Sequence, residues 1–552
     1  MNRTRKIHHH GMFGLAALAL CACKVSVNTE EPAPKPPEVV AEAPTQGPLW
    51  PDEPFRAKMP APGPIAGLQL PAIKTFKLRN GIEVFLVTQE RLPTVYMTME
   101  FDLGAVNDAP SRAGMHSLCF DLIDEGTKRR DKIAWEEAQA DHAVQVWSGS
   151  GREISNLSLR TLKAQLDPAL DLFVEMLREP GLRSSDFDRL RDRRKASMVQ
   201  ARATPASIAR RVYPALAWGK EHPYGHISTE KTLDSVRVAD CKRMVSRLRP
   251  TGARLFVVGM ISEEELRSSL GDRLAKWRGR APVAAKIPQA VPQAGSIYMV
   301  DVPGAAQSVI SIGHPGPGRA APDYEATYLM AQILGGSFSS RINMNLREDK
   351  GFAYGGRGGY RYARSGSSFS AGASVRTDST GASLREVAKE IQGMRAAPPT
   401  EAELRREKAG AIAALPARFS TATRTLRAFK SLSFYGLDLG WYAGYTARIS
   451  AVDPAAVHRA ARDHLQERDF VVFVVGDASI IKDDLQAIAE EKLFGDGGLV
   501  MLDADGRSEG GNRQSKQQKK QKEQKEPKRK SDKRSSKPTP KGVPRPAGPA
   551  KP

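Results

Sequence analysis

The sequence predicts an α+β fold made of two homologous domains, in each of which helices cover one largely antiparallel sheet. Strand-like and helical segments occur in the same order in two halves of about 200 residues, which indicates an internal duplication. Each half closes on a similar buried strand, "ARLFVVGMISEEEL" in the first and "DFVVFVVGDASII" in the second. Between the halves, the Pro-rich residues 278–295 predict a linker.

The first domain is predicted to span residues 73–277. Within "IEVFLVTQERLPTVYMTMEFDLGA", two apolar runs flank a proline turn and predict a pair of neighbouring strands. The later predicted elements are a helix after Gly114, a helix near Lys132–Ala140, strands at Ala143–Trp147 and Ile154–Leu159, helices over Leu162–Leu177 and from Ser185 to about Arg202, and a closing strand in "ARLFVVGMI".

The second domain, predicted over residues 296–503, repeats this order. "SIYMVDVPGAAQSVISIGHPGPG" predicts strands, and "DYEATYLMAQILGG" predicts a helix. "FAYGGRGGYRYA" and "SSFSAGASVRT" predict two paired strands, which long helices and the closing strand follow. The repeated order is the reason for predicting the same fold in both halves.

The N-terminus predicts an export signal over residues 1–23. A positively charged start precedes an apolar run that is too short to span a bilayer. The run ends in "LCAC", which resembles a bacterial lipobox with Cys23 as the lipidated residue; Cys21 is a poorer candidate because the large Leu20 would precede it. An ordinary signal peptide is the alternative. Residues 24–72 are rich in Pro, Ala and Glu and predict an extended tether.

The net charge of +21 is concentrated at the C-terminus. From Arg507 onward, 16 Lys and Arg residues stand against 4 Asp and Glu residues, so this segment carries +12 of the charge. Residues 504–552 have almost no apolar side chains and predict a disordered, Lys-rich tail. The tail lacks interleaved aromatic residues that would stack on bases, so an anionic envelope surface is favoured as its partner over nucleic acid.

The remaining cysteines form no metal-binding or disulfide pattern in the sequence. If Cys23 is lipidated and Cys21 is removed with the signal peptide, only Cys119 and Cys241 are left. No C-x-x-C spacing is present. We therefore expect two buried free thiols.

Several stretches together resemble the pitrilysin/insulinase family, the zinc peptidases with an inverted His-x-x-Glu-His motif. The resemblance covers roughly residues 73–500 and depends on the order and spacing of the stretches. They are "NGIEVFLV", "GMHSLCFDLIDEGT", "HPYGHISTEKTLDSV", "VVGM", "ILGGSFSSRINMNLREDKGFAYG" and "VVFVVGDAS".

The resemblance implies that the zinc site of the family is lost. Aligned on Gly126-Thr127, the two ligand histidines fall on Ser117 and Asp121, and the catalytic glutamate falls on Phe120. The third ligand, a glutamate, falls at about Ser197. A peptidase zinc requires three protein ligands, and the reaction requires a carboxylate that takes the proton of the bound water. We therefore expect no metal and no catalytic residue in this chain.

Nearby polar residues do not predict a replacement zinc site. His116 and Asp121 are five residues apart, so they do not share a helix face. Asp121 with Asp124 and Glu125 would suit calcium or solvent better than zinc, so we expect Phe120 to pack inward and these acids to be solvated. Three histidines that stand singly in the sequence are expected to be structural or at the surface: His142, His222 and His314.

The second half keeps a pair that the family uses at the substrate. In members of the family, the C-terminal domain holds an Arg and a Tyr seven residues apart. Arg347 and Tyr354 have that spacing in "LREDKGFAY". A guanidinium can bind a peptide carbonyl or carboxylate, and a phenol can donate to the oxyanion of the transition state. The glycines that follow form a candidate peptide-binding loop or simply allow the sheet to bend: Gly355, Gly356, Gly358 and Gly359.

The resemblance implies a function as half of a split enzyme. Some members divide the work between two homologous chains, and this chain resembles the zinc-lacking subunit, which would supply Arg347 and Tyr354 in trans to a zinc-bearing partner. The two chains would form the halves of a clamshell around an extended peptide substrate bound by strand addition. The alternative is a stand-alone periplasmic peptide-binding or assembly protein. In both cases we expect a lipoprotein of the bacterial cell envelope, on the periplasmic face of the outer membrane.

Overall fold

The computed structural model describes residues 53–54 and 69–508. The signal peptide, Cys23, most of the tether and residues 509–552 of the tail lie outside the described residues. Among the helices that are described, none combines the length and hydrophobicity needed to cross a membrane.

The first half forms six strands and eight helices within the described chain. The strands are β1 (Lys74–Lys77), β2 (Glu83–Thr88), β3 (Thr94–Phe101), β4 (Gln145–Ser150), β5 (Ser155–Leu162) and β6 (Arg254–Gly259). The helices are α1 (Met115–Ile123), α2 (Lys132–Asp141), α3 (Leu166–Arg178), α4 (Ser184–Ala201), α5 (Pro205–Trp218), α6 (Glu230–Asp234), α7 (Val238–Val245) and α8 (Glu263–Leu266).

The second half contains the same numbers of strands and helices within the described chain. The strands are β7 (Ile297–Asp301), β8 (Gln307–Gly316), β9 (Ala353–Ala363), β10 (Gly366–Arg376), β11 (Val471–Gly476) and β12 (Leu499–Leu502). The helices are α9 (Tyr324–Ala331), α10 (Arg341–Asn343), α11 (Thr380–Ala396), α12 (Glu401–Ala413), α13 (Ala422–Tyr435), α14 (Tyr445–Ala451), α15 (Pro454–His464) and α16 (Ala478–Glu490).

Each half builds one six-stranded sheet, which confirms the predicted α+β class and its two homologous domains. The strand orders are β1-β2-β6-β3-β5-β4 and β12-β7-β11-β8-β10-β9. Most neighbours are antiparallel; the parallel pairs are β2 with β6, and β7 with β11 and β12. Five of the six positions hold corresponding strands in the two sheets. The remaining edge strand is β1, from the N-terminal side of its half, in the first sheet and β12, from the C-terminal side of its half, in the second.

The predicted pairing of the first two apolar runs is wrong. Strands β2 and β3 do form there, but β6 lies between them, parallel to β2 and antiparallel to β3. The insertion buries β6 between two neighbours, and β11 is inserted between β7 and β8 in the same way. The closing strand of each half therefore completes the centre of its sheet.

Each sheet is covered on one face by a helix from the other half. Alternate residues of β11 face opposite sides: Val472 and Val474 pack with the helices of their own half, whereas Phe473 packs with α5 of the first half. Reciprocally, α13 of the second half packs on β6, where Phe256 and Val258 join the second-half core. Burial on both faces explains why "LFVV" and "VVFVV" are apolar at every position.

The exchanged helix α5 ties the halves into one compact unit. Its residues Ile208, Val212 and Leu216 repeat at helical spacing and are buried against the second sheet. Complete burial stabilises the fold by roughly 1.5–3 kcal/mol for each such side chain. The linker 278–295 runs back along α5 and donates backbone hydrogen bonds from Val291 and Gln293 to its last turn.

The expectation of two free thiols is wrong, since Cys119 of α1 and Cys241 of α7 form a buried disulfide. The sequence separation of 122 residues hid this pairing.

Residues beyond the predicted domain boundaries make tertiary contacts at both ends of the described chain. Leu70, in the predicted tether, packs against the second-half core. Asp505, in the predicted tail, accepts hydrogen bonds from Arg202 (Nε to Oδ1, 2.9 Å) and is 2.6 Å from Arg211. Its carboxylate therefore holds the segment after β12 against the helices α4 and α5.

Candidate functional site

Helix α1 begins at a glycine and is capped by an aspartate outside the helix. Gly114 has a positive φ of 96°, which a residue with a side chain would adopt only with strain. The Asp108 carboxylate accepts hydrogen bonds from the backbone N–H of Gly114 (3.0 Å) and of His116 (3.1 Å). The same carboxylate contacts Nδ1 of His116, which is completely buried. The only histidine of α1 is therefore engaged at the start of its own helix.

Ser117 and Asp121, which the resemblance aligns with the ligand histidines, are bridged by an arginine. Arg194 of α4 donates from Nη2 to the Ser117 hydroxyl (2.7 Å) and from Nε to Oδ2 of Asp121 (3.1 Å). One fixed positive charge therefore lies between these two side chains. A zinc ion at the same place would be repelled by the guanidinium and would lack nitrogen ligands.

Phe120 and Ser197, which the resemblance aligns with the catalytic glutamate and the third ligand, have other contacts. The Phe120 ring is only 1% exposed and belongs to the first-half core, and its backbone carbonyl accepts a hydrogen bond from Ser148 Oγ on the edge strand β4 (2.6 Å). Ser197 lies on α4, and its hydroxyl donates to the carbonyl of Arg193 (3.1 Å). The residues present therefore do not fit a zinc ion, and they support no zinc-dependent catalytic step.

Of the three acids expected to be solvated, Asp121 is partly exposed, whereas Asp124 and Glu125 are not free in solvent. Asp124 is half-buried, and its desolvation raises the pKa of its carboxyl to about 7, although the backbone N–H of Ser148 donates to it (2.6 Å). Glu125 is buried and is paired with Arg189. Throughout residues 53–54 and 69–508, no group of three or more His, Cys, Asp or Glu side chains is arranged to hold a metal.

The three single histidines have structural contacts. His142 Nδ1 is 3.2 Å from Oε1 of Gln165. His222 is buried, with Nε2 2.9 Å from the carbonyl of Pro288 in the linker. His314 is buried in the second sheet, where desolvation lowers its pKa to about 4.

Arg347 and Tyr354 lie at the margin of the second sheet. Arg347 is in the helical turn Met344–Asp349, which packs against β9, the edge strand that carries Tyr354. The guanidinium lies 4.8 Å over the exposed ring of Phe338, and its Nε is 3.1 Å from Glu348. Tyr354 is 91% exposed, and within the described chain its hydroxyl has no hydrogen-bond partner.

A buried amide fixes the backbone around this pair. The Asn343 side chain donates to the carbonyl of Phe338 (2.6 Å) and accepts from the N–H of Gly356 (3.1 Å). The carbonyl of Leu346 accepts a further hydrogen bond from Phe352, just before β9 (2.8 Å). The aromatic ring under Arg347 and the strand that carries Tyr354 are thus held by one network, and both side chains remain accessible.

Two of the four glycines after Tyr354 are explained by packing. A Cβ at Gly356 would lie 2.7 Å from Ile342, and a Cβ at Gly335 would lie 2.3 Å from the backbone of Gly358. Small residues there let the helical segment approach β9 closely. Gly359 faces open space, and Gly355 approaches only the Asn343 amide, at 3.2 Å.

Sequence reasoning missed a group of charged residues between the halves. Lys430 of α13 contacts Glu100 of β3 (2.9 Å), and Asp102 contacts both Arg254 (2.7 Å) and Arg364 (2.6 Å). Burial opposes the ionisation of Asp102, but the two arginines outweigh it and hold its pKa below the usual value. These residues are distant in sequence, and no local motif identifies them.

Family models match both halves of the chain. The model described as "Insulinase (Peptidase family M16)" matches residues 83–228, and the model described as "Peptidase M16 inactive domain" matches residues 246–411. Together they cover more than half of the chain and meet within the first half, between α5 and β6.

Known relatives and solved structures agree with these matches. A protein of Helicobacter pylori named "Non-peptidase homolog YmxG" is 20% identical over 433 residues, which are 75% of this chain and 96% of that protein. The M16 inactive domain from Pseudomonas fluorescens superposes with a TM-score of 0.68 at 22% identity, over 73% of this chain and 98% of that one. The periplasmic protease PqqL from Escherichia coli superposes with a TM-score of 0.64 at 14% identity, over 79% of this chain and 49% of that one.

Proposed function

The chain belongs to the insulinase family of peptidases, family M16, as a homologue without the zinc motif, and from this premise we propose that it is the non-catalytic subunit of a heteromeric zinc peptidase. A homologous partner subunit would carry the zinc and the catalytic glutamate. This chain would supply Arg347 and Tyr354 to the substrate in trans.

The observation that carries the proposal is the difference in how the two sets of residues are used. Arg194 binds Ser117 and Asp121, so the polar atoms at these two positions are engaged by an internal contact. Tyr354 is exposed and Arg347 is partly exposed at a sheet edge, on a backbone that Asn343 holds in place. An exposed phenol without an internal partner contributes little to folding, so its use in binding explains its position better.

The chemistry of the pair suits transition-state stabilisation. When water on the partner's zinc attacks a peptide carbonyl, negative charge develops on the carbonyl oxygen. The Tyr354 hydroxyl would donate a hydrogen bond to this oxyanion, an interaction that strengthens as the charge forms. Arg347 would bind a carbonyl or carboxylate of the substrate through its fork of N–H donors and so hold the peptide in register.

The joining of the two halves fits a split enzyme. The described unit matches about half of the length of the protease PqqL, and its two halves are already joined by the exchanged helices α5 and α13. In the proposal, the zinc-bearing partner of the same fold forms the other side of the clamshell around the peptide. The edge strands β4 and β9 are free to pair with an extended peptide within the described chain.

The buried disulfide supports export from the cytoplasm. Disulfides form and persist in oxidising compartments such as the periplasm. We propose a periplasmic lipoprotein anchored through Cys23, with the Lys-rich tail near an anionic envelope surface. This proposal extends to residues outside the described part of the chain and depends on their sequence alone.

The proposal is tested by recovering the complex from its native membrane. A tagged chain is purified from solubilised membranes, and the co-purifying proteins and bound zinc are measured. We expect a homologue with an intact His-x-x-Glu-His motif and about one zinc per pair of chains. The isolated chain is expected to hold no stoichiometric zinc and to cleave no peptide. Zinc and chelator-sensitive hydrolysis in the isolated chain would refute the proposal.

The alternative function, peptide binding or assembly without a peptidase partner, is favoured by one comparison. The match to the Helicobacter pylori relative covers 96% of that protein, and that protein is named as a non-peptidase homologue. Recovery of the chain alone or with unrelated envelope proteins, together with peptide binding, would support this alternative over the split enzyme.

A further inference from the structure

A pocket of about 650 Å³ lies over the outer strands of the second sheet. It is lined by residues of β8, β9 and β10 and by the glycines Gly335 and Gly336. Its polar side chains are two arginines, one tyrosine and three serines, and none of the described residues that line it is acidic: Arg357, Arg361, Tyr360, Ser311, Ser370 and Ser374.

The pocket lies beside the exchanged helix α5, on the same face of the sheet. The strand register aligns Gly313, Ser370 and Gly359 across three neighbouring strands. A Cβ at Gly313 would lie 2.0 Å from the hydroxyl of Tyr213 on α5, so α5 covers this face at β8. A Cβ at Gly359 would meet nothing within 4 Å, so the cover ends before β9.

The two arginines extend over this open face. Side chains of a strand alternate between its faces, so Arg357, Gly359 and Arg361 share one side. Both arginines are exposed, and within the described chain neither forms an ion pair. Arg152 of the first half adds positive charge nearby; desolvation, and to a smaller degree the charge of Arg361, lower its pKa.

We propose that this pocket binds an acidic segment of an extended peptide and so selects the substrate class. Guanidinium groups bind carboxylates through paired hydrogen bonds, and the serine hydroxyls add further donors. The open surface at Gly359 lets a peptide backbone approach the sheet. This proposal deepens the proposed function. It rests on that function in one respect, which is that the ligand is a peptide.

The spacing of the arginines sets the spacing of the acidic residues. Arg357 and Arg361 are four residues apart on a strand, which corresponds to about 13 Å. Two carboxylates of an extended peptide match this distance when they are also four residues apart, because positions i and i+4 lie on the same side. Carboxylates three residues apart would point to opposite sides.

The test measures peptide binding to the purified full-length chain by fluorescence anisotropy. Three labelled peptides of equal length and high β-propensity carry Glu at i and i+4, Gln at i and i+4, or Glu at i and i+3. We expect the first to bind at least about tenfold more tightly than the second, since charge-assisted hydrogen bonds are the stronger ones. The advantage should shrink as salt is raised.

The double variant Arg357→Gln/Arg361→Gln should bind all three peptides with similar affinity. Arg459→Gln is the matched control, because Arg459 is an exposed arginine of α15 without an ion pair in the described chain. It should keep the wild-type preference. An unchanged preference in the double variant would overturn the proposal.

The peptide comparison remains decisive if the double variant does not fold. Equal binding of the three peptides to the wild-type chain, or no binding, overturns the inference. The two proposals also fail separately. Acidic selectivity without a zinc-bearing partner would refute the split enzyme and leave this site standing. Peptide turnover by the complex without a preference for acidic peptides would refute this site and leave the split enzyme standing.

Discussion

Helix α1 of the first half and the β9 edge of the second half differ in how their polar side chains are used. On α1, Ser117 and Asp121 bind Arg194, and the half-buried Asp124 at the end of the helix accepts a hydrogen bond from the backbone of β4. At the β9 edge, Tyr354 faces solvent and Arg347 is partly exposed with only surface contacts to Phe338 and Glu348, while the buried contacts are made by the backbone and Asn343 beneath them.

The difference separates stability from recognition. Substituting a side chain that has internal partners removes contacts from the fold, whereas an exposed side chain without partners can be changed at little cost to folding. We therefore expect changes around α1 to alter the free energy of unfolding and changes at the β9 edge to alter substrate turnover. Four predictions test this contrast, in order of decreasing effect.

The largest effect is expected from the disulfide that anchors α1. Replacing Cys119 and Cys241 by Ala should lower the free energy of unfolding by about 4 kcal/mol, because the bond closes a long loop in the unfolded chain. Denaturant unfolding measures the loss. Each single variant should lose about as much as the double variant. Small, additive losses would instead indicate two independent thiols.

At the β9 edge, Tyr354→Phe should reduce turnover roughly 10²-fold, or about 3 kcal/mol, because one oxyanion donor is lost. Arg347→Ala should also raise KM, since the guanidinium binds the ground state as well. Both are measured in the complex with the zinc-bearing homologue, with Arg376→Ala, an exposed arginine of β10, as the control. Wild-type kinetics in an intact complex would make the pair structural and favour the peptide-binding alternative.

Asp124 should make stability depend on pH. Its folded pKa of about 7 lies above the ordinary 3.8, so between these values the folded chain holds a proton that the unfolded chain has lost. Stability from this group is therefore full at low pH and declines as pH rises towards 7. Asp124→Asn should remove the decline, which we expect to be about 2 kcal/mol.

The measurement for Asp124 is denaturant unfolding at pH 5 and pH 8. Relative to the wild type, the free energy of unfolding of Asp124→Asn should be higher at pH 8 than at pH 5. The exposed Asp141→Asn on α2 is the control and should follow the wild type. Parallel pH profiles for the wild type and Asp124→Asn would show that the carboxyl is ionised throughout.

The smallest effect is expected from Arg194→Ala, which opens the bridge between Ser117 and Asp121. Since Asp121 is partly exposed, the loss of stability should be about 0.5–1 kcal/mol. Turnover in the complex should not change. Lys195→Ala, which removes a neighbouring surface pair with Asp234, is the matched control. A large fall in turnover at unchanged stability would place α1 in the active site of the complex. It would contradict the contrast between α1 and the β9 edge.

The sequence was most informative where structure depends on local pattern. The hairpin of β9 and β10 was visible in two glycine- and serine-rich runs, and the inward packing of Phe120 was expected once no replacement zinc site could be built from its neighbours. The repeat of strand and helix order predicted two similar sheets. The loss of three zinc ligands was predicted from the resemblance to the family motif, aligned on Gly126-Thr127.

The elements that the sequence did not reveal depend on contacts between distant residues. The insertion of β6 between β2 and β3, the disulfide between Cys119 and Cys241, and the Arg194 bridge all join segments at least 70 residues apart. Periodicity reports which face of an element is buried, but it does not report which element covers it.

The sequence by itself determined the class of fold, the duplication and the absence of a zinc motif, because these depend on residue types and on short-range periodicity. Only the tertiary structure decided that α5 and α13 cover each other's sheets and that Arg357 and Arg361 are left over an open face. The physical reason is that a helix of given apolar pattern can cover either sheet, and the choice is made by the packing of the whole chain.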